Sequence, residues 1–184
     1  PILFPKDTNG DDKADVRQVL LPGWGVGDTH AMQSNLGRGF DNWLYGTVGY
    51  SNFRGNVGGK ELEFGQGVFR FKSDGSALEF LYQFNNNIWG FDQNAYADVF
   101  GSTANNNPTF YGYLPATLLN PTQPGVVRGR PDRGGTDGDT QVRRLSSARS
   151  MAPGMRMHPN TPNVRVVDHM GGYTAAAGHA FMVS

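Results

Sequence analysis

Three stretches of this chain hold side chains whose types and spacing could do chemistry. In Asp7-Thr8-Asn9-Gly10-Asp11-Asp12-Lys13-Ala14-Asp15, the residues Asp7, Asn9, Asp11 and Asp15 occupy positions 1, 3, 5 and 9 of an acidic loop. Hard cations gather oxygen ligands from such loops, so the spacing reads as the first part of a Ca²⁺ loop. Asp12 stands at position 6, where glycine makes the sharp turn, and Gln18 at position 12, where a bidentate glutamate belongs. A solvated Asp/Asn turn explains the same residues, and both readings stay open. The second stretch ends at His30, after a glycine-rich loop and just before an apolar strand. A neutral imidazole can take a proton at working pH, and a general base contributes about 10²–10⁴ in rate. Asp28 would orient that imidazole if the loop folds back; a hydrogen-bonded structural histidine is the alternative. The third consists of Asn85-Asn86-Asn87 and Asn105-Asn106-Asn107. Amides both donate and accept, which suits hydroxyl-rich ligands, and plain turn chemistry serves equally well.

Other clusters exclude more than they suggest. His158, His169 and His179 fit no helical zinc spacing. Gly23-Trp24-Gly25-Val26-Gly27 holds no lysine and no helix follows it, which excludes a phosphate loop. The arginines from Arg128 to Arg156 lack interleaved aromatics and are diluted by Asp132, Asp137 and Asp139. They read as a solvated surface loop, with no nucleic-acid partner. Lys plus Arg and Asp plus Glu balance at 16 each, so no global field draws the chain to polyanions or membranes. The absence of cysteine excludes disulfides, thiolate metal sites and haem attachment within this segment. No apolar run approaches the ~20 residues a membrane helix needs. The chain opens on Pro1 and closes on what reads as a strand just begun, so the expectation is a processed product or a fragment.

The elements that must position these groups are short strands. Gly (26) and Pro (11) make up about a fifth of the 184 residues, an excess that argues for turns rather than long helices. Val16 to Leu21 reads as a strand stopped by Pro22-Gly23. Leu36 to Tyr50 reads as a hairpin turning at Asp41-Asn42. Val68 to Lys72 and Ala77 to Leu81 flank Asp74-Gly75, a strong hairpin signal. Ile88 to Phe91 and Asp98 to Thr103 make a further pair, and residues 51–66 read as loop. Gly39-Phe40-Asp41 and Gly90-Phe91-Asp92 recur 51 residues apart (90 − 39), each followed by an aromatic-Gly pair. Propeller blades repeat at about 40–50 residues. The expectation is therefore all-β: one incomplete β-propeller domain over 1–184, of about three blades, with a long irregular excursion over 115–163. Val164 to Val167 reads as one more strand, and Thr174 to Val183 as glycine-broken β structure. An open ring leaves raw sheet edges, so the partners expected are the remainder of a parent polypeptide or neighbouring subunits.

Several of these stretches carry a family resemblance. They are Asp7 to Asp15, Gly27-Asp28-Thr29-His30-Ala31-Met32-Gln33-Ser34-Asn35-Leu36, Phe71 to Phe80, Asn86-Asn87-Ile88-Trp89-Gly90, Phe100 to Pro108, Val164 to Asp168 and Gly171 to His179. Together they resemble the propeller domain of the membrane-bound dehydrogenase family, which is similar to the soluble glucose/sorbosone dehydrogenases. The resemblance implies a six-bladed ring using pyrroloquinoline quinone and Ca²⁺. It also implies a periplasmic or extracellular location and a c-type haem domain elsewhere in the parent protein. It puts His30 at the place of the catalytic base, and Asn87, Trp89, Asn105, Asn106, Thr174 and His179 near the cofactor. Asp41-Asn42 and Ala95-Tyr96-Ala97 depart from the family's Asp-Gly turns. A non-catalytic assembly subunit, and a carbohydrate-binding module using Trp24, Trp43 and Trp89, are the alternative functions.

Overall fold

The computed structural model describes residues 1–83, 88–103, 110–112, 115–119, 142–144, 178 and 180–181. Strand β1 (Ile2–Lys6) pairs antiparallel with β2 (Val16–Leu21) across the acidic loop. A 3-10 turn, Thr29–Ala31, leads into β3 (Gln33–Arg38), which pairs with β4 (Leu44–Val48). Then come β5 (Phe53–Val57) and β6 (Lys60–Phe64), a separate hairpin. Next, β7 (Gly67–Phe71) returns to pair with β4, and β8 (Leu78–Gln83) pairs with β7. The first sheet is thus β3-β4-β7-β8, with the β5–β6 hairpin inserted after its second strand. A second four-stranded sheet runs β9 (Ile88–Gln93), β10 (Val99–Thr103), β11 (Phe110–Gly112) and β12 (Val142–Arg144). One helical turn, α1 (Ala116–Leu119), lies between β11 and β12. The architecture is all-β in several small antiparallel sheets, and the described residues close no barrel or ring.

Burial explains the strand sequences. One face of the first sheet, through Val48, Phe69, Phe71, Leu78 and Phe80, packs on Phe53, Val57, Leu62 and Phe64 of the inserted hairpin, together with Trp24 and Leu21. The opposite face, through Tyr45, Val68, Leu81 and Tyr82, packs on Ile88, Val99 and Phe110 of the second sheet. A sheet covered on both faces needs near-continuous apolar strands, which is why Gly67-Val68-Phe69-Arg70-Phe71 shows no polar alternation. By contrast, β5 and β6 alternate, with Phe53, Val57, Leu62 and Phe64 inward and Arg54, Glu61 and Glu63 outward. Residues 51–66 are therefore not loop. Gly58 and Gly59, at φ +60° and +81°, make the two-residue turn between them, and a Gly-Gly pair between alternating runs is a hairpin signal. Within 115–163, α1 and β12 are described, and Ala116 packs into the first core. Val164 to Val167 lies outside the described residues.

The internal repeat is real but its register is 55 residues, not 51. Gly46 of β4 and Gly101 of β10 are 55 apart (101 − 46), and so are Asn42 and Ala97 (97 − 42) in the preceding turns. Both turn residues adopt left-handed backbone, at φ +64° and +65°. The turns close alike, Gly39 N–H donating to the Trp43 carbonyl and Asn94 N–H to the Asp98 carbonyl. Ala95-Tyr96-Ala97 thus does not break its turn, because the Asn94 side chain accepts the N–H groups of Tyr96 and Asp98. Each glycine sits opposite a phenylalanine on the third strand, Gly46 against Phe69 and Gly101 against Phe110. The rings cover the space a Cβ would fill, a cross-strand device that protects glycine in a sheet. The Gly-Phe-Asp triplets are out of step because one lies in a turn and the other inside β9.

Polar ties bind the sheets. The Arg70 guanidinium donates to Glu79 at 2.8 Å and to Asp41 at 2.7 Å, and lies 4.6 Å from the Trp43 ring centre. Burial opposes its charge, but hydrogen bonds with Tyr45 and Glu79 outweigh that and hold its pKa above the ordinary value. Tyr45 donates to Asp41 and stacks on Phe91 of the second sheet at 5.7 Å. Replacing Arg70 by methionine leaves two half-buried carboxylates without their cation. We expect a loss of about 2 kcal/mol, below the cost for fully buried pairs because these groups are partly solvated. Urea unfolding would measure it, and a change under about 0.5 kcal/mol would show that the tie carries no stability.

Tyr82 lies at the interface of the sheets, its ring against Gly112. Burial pushes its hydroxyl up to about 12 from the ordinary 10.0. The unfolded chain gives up this proton first, so the contribution is whole below pH ~10 and falls as pH rises towards 12. Wild type should lose on the order of 2 kcal/mol more than Tyr82→Phe over that window. Urea midpoints at both ends of the window give the difference, and parallel curves for the two proteins would refute it.

Candidate functional site

The chain positions His30 by pinning the backbone on either side of it. Asp28 is extended (φ −136°, ψ 111°) and its carboxylate accepts the His30 N–H at 2.9 Å, an N-cap on a 3-10 turn. Ala31 is buried, and its carbonyl accepts N–H bonds from Gly49 at 3.0 Å and Ser51 at 3.1 Å. Ser51 Oγ donates to the Asp28 carbonyl at 2.8 Å. The turn is thus clamped to the segment after β4, at the head of β3. The loop does fold back, and the Asp28 carboxylate stands 3.6 Å from His30 Nδ1. The imidazole itself is 86% exposed. A fixed turn, an exposed ring and a carboxylate behind it form an arrangement able to accept a proton from a docked hydroxyl group.

The acidic loop is held by its own backbone. Asp7 accepts the N–H groups of Asn9, Gly10 and Asp12 at 3.0, 2.7 and 2.9 Å. The Gly10 bond, above the others, holds the Asp7 carboxyl below its ordinary pKa. Asn9 accepts from Asp11, Asp11 from Lys13, and Asp15 from both the N–H and the hydroxyl of Thr8. Successive side chains thus fold the loop as a chain of Asx turns. Among the described residues, no three His, Asp or Glu side chains gather as a metal-holding group. As it stands, the loop fits a hydrogen-bonded turn better than a converged Ca²⁺ cage.

Of the residues expected near a cofactor, Asn87, Asn105, Asn106, Thr174 and His179 lie outside the described residues. Trp89 is on β9, half-buried, and the Gly178 N–H reaches its carbonyl at 3.5 Å. Farther along, Phe181 N–H donates to Asp92 at 2.8 Å, and its ring meets Phe100 edge-on at 4.9 Å. Gly178 and Phe181 therefore lie beside the second sheet, which brings Trp89 next to the segment that follows Thr174. Gly90 permits the approach, since a Cβ there would stand 2.8 Å from Gly178.

Two tryptophans cannot serve as an open sugar platform. Trp24 is buried against Phe53, Phe64 and Phe69, with centroid distances of 4.9, 5.9 and 4.6 Å. Trp43 is covered by Arg70 and by the Lys72 ammonium, 4.2 Å from its centre. Gly23 sits at φ +99° and its carbonyl accepts the Arg54 N–H, so the glycine-rich loop anchors Trp24. What sequence reasoning missed is a groove between β3 and β9, lined in part by Arg38, Phe40, Phe91 and Asp92. The clue was present, since both Gly-Phe-Asp triplets supply a phenylalanine to it.

Among the described residues no helix is long and apolar enough to cross a membrane. No curated protein and no solved structure matches the chain. Residues 1–184, the whole chain, match the family described as a domain of unknown function, DUF7133. Its two sheets, clamped histidine turn and groove are therefore features of a member of that family, to which the chain belongs.

Proposed function

We infer that the two four-stranded sheets are successive blades of a β-propeller, and that this chain is the propeller segment of a quinoprotein-like sugar or alcohol dehydrogenase. The reading places it in the periplasm or outside the cell, with electrons passing to a haem elsewhere. The observation that carries it is the exposed His30 on its clamped turn at the head of β3. Two further features support it. The first two strands of each sheet repeat at 55 residues, β3 to β9 (88 − 33) and β4 to β10 (99 − 44), and β3 and β9 lie side by side.

In this reading His30 accepts the substrate's hydroxyl proton at Nε2, the nitrogen directed away from Asp28. The Asp28 carboxylate stands 3.6 Å from Nδ1, which leaves Nε2 to face the substrate. Pyrroloquinoline quinone, when bound, would supply the two-electron acceptor that oxidation of the alcohol to a carbonyl compound needs. Ca²⁺ would bind at Asp7, Asn9, Asp11 and Asp15 only if their oxygens turned from the loop N–H groups that they now accept, and it has no part in the proton transfer.

The test is dye reduction by the full-length parent protein, loaded with quinone, with and without Ca²⁺, over a panel of sugars and simple alcohols. Substrate-dependent reduction supports the reading, and a rate equal to the blank on every substrate ends it. One observation favours a non-catalytic assembly role instead. The β1–β2 hairpin is two-stranded and exposes Leu3, Phe4, Val16 and Val19. Such a hairpin is marginal alone, and its edges suit pairing with another strand.

A further inference from the structure

The groove between β3 and β9 is built by an irregularity in β3. The register with β4 shifts between Ser34 and Gly37, and Asn35 takes a left-handed φ of +53°. Such a bulge re-aims side chains. Here Asn35 donates inward to Thr47 at 2.9 Å and Leu36 turns outward, 54% exposed. The Phe91 ring packs beside Gly37, at ordinary contact distance, and lines the groove. Phe40 stands at the rim and is 70% exposed.

The walls carry one charge of each sign. Arg38 donates to Asn42 at 2.8 Å, which fixes its guanidinium at the rim. Asp92 comes from β9, and its oxygens accept the N–H groups of Gln93 and Phe181, each at 2.8 Å. The Asn35 and Gln93 amides complete the lining. The groove encloses about 280 Å³, at the small end of ligand sites (~300–1,000 Å³).

We propose that this groove binds a neutral carbohydrate, one or two rings of a glycan chain. The charges and the exposed Phe40 ring together point to the class. Asp92 opposes an anion and Arg38 opposes a cation, so a neutral ligand suits both. Ring hydroxyls donate to Asp92 and accept from Arg38, and the Gln93 amide can do both, whereas the Asn35 NH2 is spent on Ser34 and Thr47. The negative face of the exposed Phe40 ring attracts the C–H side of a sugar ring. The site is separate from His30. The groove takes its lining from Asn35 onward, about 7 Å past the start of β3 at Gln33, and runs to Arg38 at about 17 Å; His30 is not part of its lining. It stands or falls independently of the dehydrogenase reading.

Isothermal titration of the full chain with cellotetraose, mannotetraose and xylotetraose, and with trigalacturonate as the charged control, tests it. We expect saturable binding of at least one neutral tetraose, tighter than any binding of the control. Phe40→Ala and Gln93→Ala, both changes at side chains outside the two cores, should each weaken it at least fivefold. His30→Ala should leave it within twofold. Absence of saturable binding to all three tetraoses, tighter binding of trigalacturonate, or a loss below fivefold in both groove variants would overturn the assignment.

Discussion

Alanine at His30 should lower the dye-linked oxidation rate of the full-length protein by about 10²–10⁴-fold, the range a positioned general base contributes. The imidazole is 86% exposed and the turn is held by backbone groups and by Asp28 and Ser51. Removing the ring therefore costs the fold little, within about 0.5 kcal/mol for such a surface change. Lost activity with an unchanged unfolding midpoint would mark His30 as the base. Asp28→Asn is the companion, since asparagine still caps the turn but brings no charge. It should lower the rate less than His30→Ala does. Equal rates for wild type and His30→Ala would remove the base from the mechanism and leave the assembly role as the better account.

Phe69→Ala should destabilise the domain by about 3–5 kcal/mol, the cost of deleting a fully buried aromatic ring. Phe69 has no exposed surface. Its ring lies 4.6 Å from Trp24 and covers Gly46 on the neighbouring strand. The substitution opens a cavity where the glycine-rich loop, the inserted hairpin and the first sheet meet. Domains hold only about 5–15 kcal/mol in all, so the variant would lose a large share of its stability. Urea unfolding at neutral pH measures it. A loss below about 1 kcal/mol would mean that the surrounding rings collapse into the space, contrary to a close-packed core. Phe110→Ala, at the matching place in the second sheet, should behave alike.

What could be read in advance depended on how local the signal was. β2 fell within its sequence boundaries because Pro22-Gly23 ends it. The β7–β8 turn was plain because Gly75 adopts φ +75° and Asp74 accepts the Ser76 N–H. β1 escaped notice since Pro5 interrupts its apolar run, and proline is tolerated there because the strand lies at an edge. The β5–β6 hairpin was overlooked although Gly58-Gly59 marked it, because glycine and asparagine dilute the alternation in β5. The repeat was found by its residues but displaced by four positions, since identical triplets need not occupy identical structure. Of the candidate site, His30 and Asp28 were legible as neighbours in sequence. The groove was not, because it joins residues about fifty apart through a bulge that no local pattern announces.

The inserted hairpin and Trp24 occupy the flank of the first sheet that faces away from the second. In the proposed ring the seam therefore runs through hairpins rather than blade against blade. Both two-stranded sheets, β1–β2 and β5–β6, lie on that flank, whereas the other two sheets have four strands each. Under mechanical load or mild denaturant these hairpins would part first, leaving the two four-stranded sheets packed together.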